Sequence, residues 1–224
     1  MFENSNISTL KKEGNKYFAR NKNFYSSNKE NYIISDLFRT TKIAPKSILE
    51  IGCANGIMLD QYQKQSNAKF CHGIDLSPKA IKDGKKRFKN IKFSVLSSLK
   101  IDRIKNNFDL IVCGFFLYLL DRQEIFSQFN SIYKKTNKNG YLLIQDYNPL
   151  FKHTNSFKHN KKINVFKMSY DNFLEESGLF KLIYKFRTNF SLLTKNDLKK
   201  FKSDDYSFSL FKKIDFKKNY PENL

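Results

Sequence analysis

The sequence predicts an α/β fold: a doubly wound, mostly parallel sheet with an antiparallel pair of strands at its C-terminal edge. Three observations predict it. Short apolar, β-rich runs alternate with helical periods between residues 47 and 145, the pattern of strands joined by crossover helices. A glycine-containing turn, Glu50-Ile51-Gly52-Cys53-Ala54-Asn55-Gly56, directly follows the first run. After Pro149 the alternation stops, and the runs 180–186 and 206–212 have no helix of comparable strength between them.

Taken in order, residues 1–44 are expected to form a helical arm or lid, and residues 45–224 the main domain. Residues 1–27 are polar and rich in Asn and Lys, with an aromatic pair, Tyr17-Phe18, followed by Arg20 and Asn21. From Asn28 to Thr41, the residues Tyr32, Ile33, Ile34, Leu37 and Phe38 recur at helical spacing. Pro45 breaks the chain before a strand at Ser47 to Ile51. A helix is expected from Gly56 to about Gln65, then a strand from Lys69 to Ile74 with Asp75 at its end. Ser77 as N-cap and Pro78 in the first turn open a helix to about Phe88. Ile91–Leu96 reads as a third strand. Phe108–Cys113 reads as a fourth, apolar enough to be buried on both faces. Arg122–Lys135 has a helical period, and Asn139-Gly140 turns the chain into a fifth strand, Tyr141–Gln145. A polar lid segment, about 147–168, precedes a helix from Tyr170 to Ser177, capped by Ser169 and closed by Gly178.

The bulk composition narrows the function. Hydrophobic residues at 40% and aromatics at 16% describe a globular chain. Cys53, Cys71 and Cys113 are scattered, with no CxxC pair and no zinc-like Cys/His spacing, so no metal site is expected and a reducing compartment suits them. The N-terminus shows no signal-peptide pattern. The apolar run around Phe115–Leu120 is far short of the roughly 20 residues a membrane helix needs. A cytoplasmic location is expected. The net charge of +20 invites a nucleic-acid partner. However, only six of the 41 basic residues are Arg, and the lysines spread over the whole length. Abundant Lys, Asn, Phe, Ile and Tyr all have AT-rich codons, so genome composition acting on a tolerant surface explains the charge better.

The turn carries chemistry. Its glycines let the backbone bend sharply and approach a ligand, and a helix N-terminus follows with free N–H groups. The spacing is not the G-x-G-x-x-G that cradles a pyrophosphate. Asp75, ending the next strand, can accept hydrogen bonds from both hydroxyls of a ribose. Together they point to a nucleoside-containing ligand without a pyrophosphate.

At this point a family resemblance appears. Leu49-Glu50-Ile51-Gly52-Cys53-Ala54-Asn55-Gly56 resembles the first motif of class I S-adenosylmethionine-dependent methyltransferases, which have a Rossmann-like fold, and Gly73-Ile74-Asp75-Leu76-Ser77-Pro78 resembles their second. Phe108-Asp109-Leu110-Ile111-Val112 and Asn139-Gly140-Tyr141-Leu142-Leu143-Ile144 resemble their fourth and fifth strand motifs, in order and in register. The resemblance covers residues 45–147. It implies that Glu50 orients the loop and the methionine amino group, that Gly52, Cys53, Ala54, Asn55 and Gly56 contact methionine and ribose, that Asp75 holds the ribose and that Leu76 packs on adenine. Ser97, beside Ser98, stands where the family often has an Asp on the adenine amine, and Ala54 replaces a glycine. Cys113 ends strand four at the donor. Tyr17-Phe18-Ala19-Arg20-Asn21, Asp121-Arg122, Asp146-Tyr147-Asn148-Pro149, Phe157-Lys158-His159 and Phe166-Lys167-Met168-Ser169-Tyr170 further resemble a bacterial subgroup associated with surface-polysaccharide genes.

The expected activity is in-line methyl transfer to a small molecule or saccharide precursor. The alternatives are an RNA or other polyanion acceptor, or a relative that binds the cofactor without catalysis. Candidate bases are Asp146, whose other role would be a loop cap, and His159, whose other role is a surface histidine. Arg20 is expected to reach the cofactor carboxylate or the substrate. Tyr17, Phe115, Tyr118 and Tyr147 are expected to line the acceptor pocket. Cys113-Gly114-Phe115-Phe116 replaces the Asn/Asp-Pro-Pro-Tyr/Phe motif expected for methylation of an adenine, cytosine or glutamine amine, which favours a small acceptor over nucleic acid.

Overall fold

The computed structural model describes residues 7–26, 30–189 and 205–216. It is an α/β protein built on a seven-stranded sheet of order β3-β2-β1-β4-β5-β9-β8, with a separate two-stranded sheet, β6-β7. The parallel strands are β1 (Ser47–Ile51), β2 (Phe70–Asp75), β3 (Ile91–Val95), β4 (Phe108–Gly114) and β5 (Thr136–Tyr147). β8 (Phe180–Asn189) and β9 (Asp205–Lys213) close the sheet as an antiparallel edge, with β9 between β5 and β8. This is the doubly wound, mostly parallel arrangement with an antiparallel C-terminal edge that the sequence predicts.

Each face of the sheet is covered. α3 (Tyr32–Thr41), α4 (Ile57–Ser66) and α5 (Pro78–Arg87) contribute Ile33, Leu37, Leu59, Tyr62 and Ile81 to one core. α6 (Ile125–Lys135) and α7 (Tyr170–Glu176) contribute Phe129, Ile132, Tyr170 and Leu174 to the other, against Leu49, Ile51 and Phe108. Burying each such side chain is worth roughly 1.5–3 kcal/mol. The caps follow from local chemistry. Asn31 accepts the Ile33 N–H ahead of α3, Ser77 accepts the Ala80 N–H with Pro78 in the first turn of α5, and Ser169 accepts the Asn172 N–H of α7. The helix expected from Asn28 is seen from Tyr32; Asn28 itself lies outside the described residues, as do 217–224 of the expected domain.

Several elements differ from expectation. The arm is two helices, α1 (Ile7–Arg20) and α2 (Lys22–Ser26). Arg122 lies in a 3-10 turn, Arg122–Glu124, and α6 begins at Ile125, because the Arg122 guanidinium donates to the Leu117 and Leu120 carbonyls at 2.8 and 2.6 Å. β5 begins before the Asn139-Gly140 turn: Thr136 pairs with Phe108, the register then shifts, and Asn139 takes φ 61°. The polar lid contains a hairpin, β6 (His153–Phe157) and β7 (Asn160–Lys167), in which Ile163, Val165 and Lys167 turn inward at strand spacing. Strand order reverses between β1 and β4, so their C-terminal ends diverge into the crevice where open α/β sheets bind ligands.

Candidate functional site

The turn after β1 is built from alternating left-handed residues. Gly52, Ala54 and Gly56 have φ of 77°, 48° and 81°. A Cβ on Gly52 would lie 2.7 Å from the Gly114 carbonyl oxygen, so the loop crosses directly over the end of β4 and only glycine fits there. Ala54 holds a conformation that is strained for a residue with a Cβ. Its N–H donates to Asp75 Oδ2 at 2.9 Å, and the Ser77 N–H donates to Oδ1 at 2.7 Å. Asp75 thus ties the two motifs together. Desolvation raises its pKa despite these donors.

Glu50 is the unusual group. It is 2% exposed, takes a backbone hydrogen bond from Leu59, and its Oε2 has no partner among the described residues. Burial, reinforced by the charge of Asp75, pushes its carboxyl up to about 8. A buried carboxylate oxygen beside a glycine turn and a ribose-compatible Asp suits a ligand with an ammonium group. The methionine end and ribose of S-adenosylmethionine therefore match the residues present.

The side chains of other expected donor contacts are placed differently. The Cys113 side chain is fully buried among the cluster that includes Leu49, Ile111 and Ile144. Cys53 is likewise buried in the opposite core. Asn55 is fully buried, and its amide donates to the Tyr25 carbonyl at 3.0 Å and to Asp83 at 2.7 Å, so it fastens the arm. Leu76 is half-buried at the turn beyond Asp75. Ser97 caps the 3-10 turn Ser98–Arg103 by accepting the Leu99 N–H at 3.3 Å, and Ser98 is the first residue of that turn.

The expected acceptor residues divide into two groups. Phe115, with φ 49°, follows β4 and meets Tyr147 and Tyr206 at centroid distances of 6.4 and 5.5 Å. Tyr118 and Tyr147 stack edge to face at 5.1 Å. Tyr17 lies within electrostatic range of Tyr118, so the arm reaches this cluster. His159 does not share the cluster's described contacts. It is exposed at the tip of the β6–β7 hairpin, against the Phe157 ring. Asp146, expected either as a base or as a loop cap, makes a cap's hydrogen bonds. It is 1% exposed, and its carboxylate accepts the N–H groups of Leu117 (2.9 Å), Tyr118 and Tyr147 (2.8 Å), which orients it toward backbone. Burial still raises it to about 7. Arg20 donates to Glu13 Oε1 at 2.7 Å.

The sequence reading passed over four contributors. Tyr25 of α2 is buried, hydrogen-bonds with Tyr17, and lies in the field of both Asp75 and Glu50; its carbonyl is also held by Arg87. Glu13 is the one buried residue of α1. The Lys167 ammonium sits 4.3 Å over the Tyr147 ring. Arg122, quoted only within a motif, binds Tyr170 Oη at 3.1 Å and stacks on Phe166, locking the loop after β4 to the hairpin. Only Arg122 and Lys167 leave a signal in the sequence, within Asp121-Arg122 and Phe166-Lys167-Met168-Ser169-Tyr170. Among the described residues no metal-ligand cluster is present, and no helix is long and apolar enough to cross a membrane.

Comparison with known proteins shows the family. A methyltransferase-domain family model matches residues 44–202. An uncharacterized protein of Rickettsia prowazekii is 37% identical over 71 residues, spanning 30% of this chain and 28% of that protein. Among solved structures, the N-methyltransferase NodS of Bradyrhizobium japonicum, in complex with S-adenosylhomocysteine, has a TM-score of 0.59 at 18% identity, over 82% of this chain and 87% of that one. The Burkholderia thailandensis 1,6-didemethyltoxoflavin N1-methyltransferase has a TM-score of 0.69 at 12% identity, over 93% and 88%. The chain belongs to the methyltransferase-domain family, in its class I, S-adenosylmethionine-dependent group.

Proposed function

We propose that this chain transfers the methyl group of S-adenosylmethionine to a small-molecule acceptor held beneath the N-terminal arm, at the C-terminal ends of β4 and β5. The observation that carries the reading is the buried Glu50 oxygen beside the strained turn, an oxygen with no partner among the described residues. The donor brings a positively charged sulfonium whose methyl is already electrophilic. The protein's task is therefore mainly to position the two reactants. Glu50 would hold the methionine ammonium, the Gly52–Gly56 backbone would run along methionine and ribose, Asp75 would take the ribose hydroxyls, and Leu76 and Ser97 would flank adenine. Asp146 would fix the Leu117–Leu119 turn and so aim Tyr118 at the acceptor. A low-mass acceptor is in keeping with the 1,6-didemethyltoxoflavin bound to one structural relative. Saccharide precursors fall in the same size class.

Calorimetry with S-adenosylmethionine, using Asp75→Ala as control, tests the donor half: wild type binds and the variant is at least tenfold weaker. A labelled-methyl screen against small amines, phenols, nucleotide sugars, lipid-linked glycans and total RNA tests the acceptor half. Label confined to RNA would overturn the small-molecule reading, and so would donor binding without transfer to anything.

A further inference from the structure

α1 has an inverted character. It leaves Ile7 and Tyr17 exposed, and the single residue it buries is a carboxylate, Glu13, at 6% exposure. Acidic residues are almost never this buried unless they are paired. Only half of the Glu13 carboxylate is paired: Oε1 accepts Arg20, and Oε2 has no partner among the described residues.

Its neighbours fix where it sits. The Gly14 backbone lies against Ser77, and Asn15 Oδ1 accepts the Ser77 hydroxyl at 2.8 Å and the Lys79 N–H at 3.2 Å. The Ser77 N–H in turn donates to Asp75. α1 is therefore anchored on the strand end that carries the donor's ribose site. From that anchor Glu13 is within electrostatic range of Tyr118, together with Tyr17, Tyr147 and Asp146. Cations among the described residues nearby are Arg20 on Glu13 itself, Lys167 over the Tyr147 ring and Arg122 on the Leu117 carbonyl.

The geometry points to Glu13 as the acceptor-binding carboxylate, and to a basic amine as the acceptor. The inference rests on the function proposed above and specifies its substrate class. A desolvated carboxylate oxygen gains most from a cationic N–H donor. An anionic acceptor would instead meet the buried Glu13 carboxylate. A basic amine also has no need of the Asn/Asp-Pro-Pro-Tyr/Phe motif that this chain lacks, because its lone pair is localised once the proton is gone. The step balances. The ammonium passes one proton to Glu13 Oε2; the freed nitrogen lone pair forms the N–C bond as the C–S bond breaks, and that bond's electron pair stays on sulfur. The products are a methylammonium, a protonated Glu13 and S-adenosylhomocysteine.

The test is Glu13→Gln, which keeps the volume and removes the charge. S-adenosylhomocysteine affinity is read by calorimetry for both proteins. Methyl transfer is read with carbon-13-methyl S-adenosylmethionine against a defined panel of low-mass primary and secondary amines, phenols, sugars and carboxylates, with the bonded atom identified by NMR. The expected result is N-methyl product from wild type, at least a 100-fold loss in the variant, and S-adenosylhomocysteine affinity unchanged within twofold. Product on oxygen, no product from any class, or a variant as active as wild type would overturn the inference while leaving donor binding intact. Loss of donor binding by the wild type would instead sink the underlying function. Arg20→Ala serves as a second variant: it frees Oε1, and the amine's KM is expected to change more than kcat.

Discussion

Binding of the donor product to Glu50 is predicted to release a proton. With its carboxyl near 8, Glu50 is mostly protonated in the empty protein at pH 7. The methionine ammonium pairs with the ionised form, so binding displaces the proton. Apparent dissociation then scales as one plus ten to the power of 8 minus pH. That factor is about 100 at pH 6 and about 11 at pH 7, a ninefold gain in affinity, or about 1.3 kcal/mol at 1.36 kcal/mol per unit. The rise levels off above about pH 8, where Glu50 is already ionised in the empty protein. Calorimetry with S-adenosylhomocysteine, in buffers of different ionisation heat, is expected to find about 0.9 proton released at pH 7. Glu50→Gln is expected to bind about 10- to 100-fold more weakly at pH 7.5, from loss of a charge-assisted hydrogen bond of about 1.5–3 kcal/mol, and to lose the slope. A wild-type change below twofold between pH 6 and 7, or an equal slope in the variant, would refute the assignment of Glu50 to the ammonium.

Ala54→Gly removes the left-handed strain of the turn and is expected to raise stability by up to about 1 kcal/mol, less the entropy glycine adds to the unfolded chain; urea midpoints check it. Asp171→Ala is expected to cost about 3–5 kcal/mol, because it strands Asn148 and Lys185, which bond Asp171 at 2.8 and 2.5 Å. Burial pushes the Asp171 carboxyl up, but hydrogen bonds from Lys185 and Ser169 outweigh it and leave it lowered. Its contribution therefore persists above the ordinary carboxylate pKa and is lost as pH falls through the folded value. His72, buried against Ser94 at 3.0 Å, is lowered to about 4 by desolvation and by Lys92. A lowered histidine stabilises the fold above its unfolded pKa and loses that support as pH falls toward 4, so His72→Gln is expected to be flatter than wild type by about 2–3 kcal/mol between pH 7 and 4.5.

What was legible in the sequence was local. β1, the turn and α4 are contiguous, so the change from strand to helix period and the glycines between them mark the donor loop. Asp75 is marked by ending an apolar run. The acceptor side depends on contacts that no short window contains. Asn15 meets Ser77 from 62 residues away, and Asp146 caps Leu117 from 29. Glu13 runs against the rule that carboxylates face water, so composition hid it. The β6–β7 hairpin was obscured by a mostly exposed, Lys- and Asn-rich outer face that outweighed Ile163 and Val165. The place of β9, between β5 and β8, follows from tertiary pairing and not from chain order.

The clamp on the Tyr25 carbonyl has a thermodynamic consequence. Asn55 belongs to the donor turn, yet its amide is committed to the arm. Any ligand that orders the turn must stabilise the docked arm by the same free energy with which the docked arm favours the ligand, since linkage is reciprocal. Donor affinity and amide-exchange protection of residues 17–26 are then two readings of one coupling, and a substitution that loosens either is felt at the other.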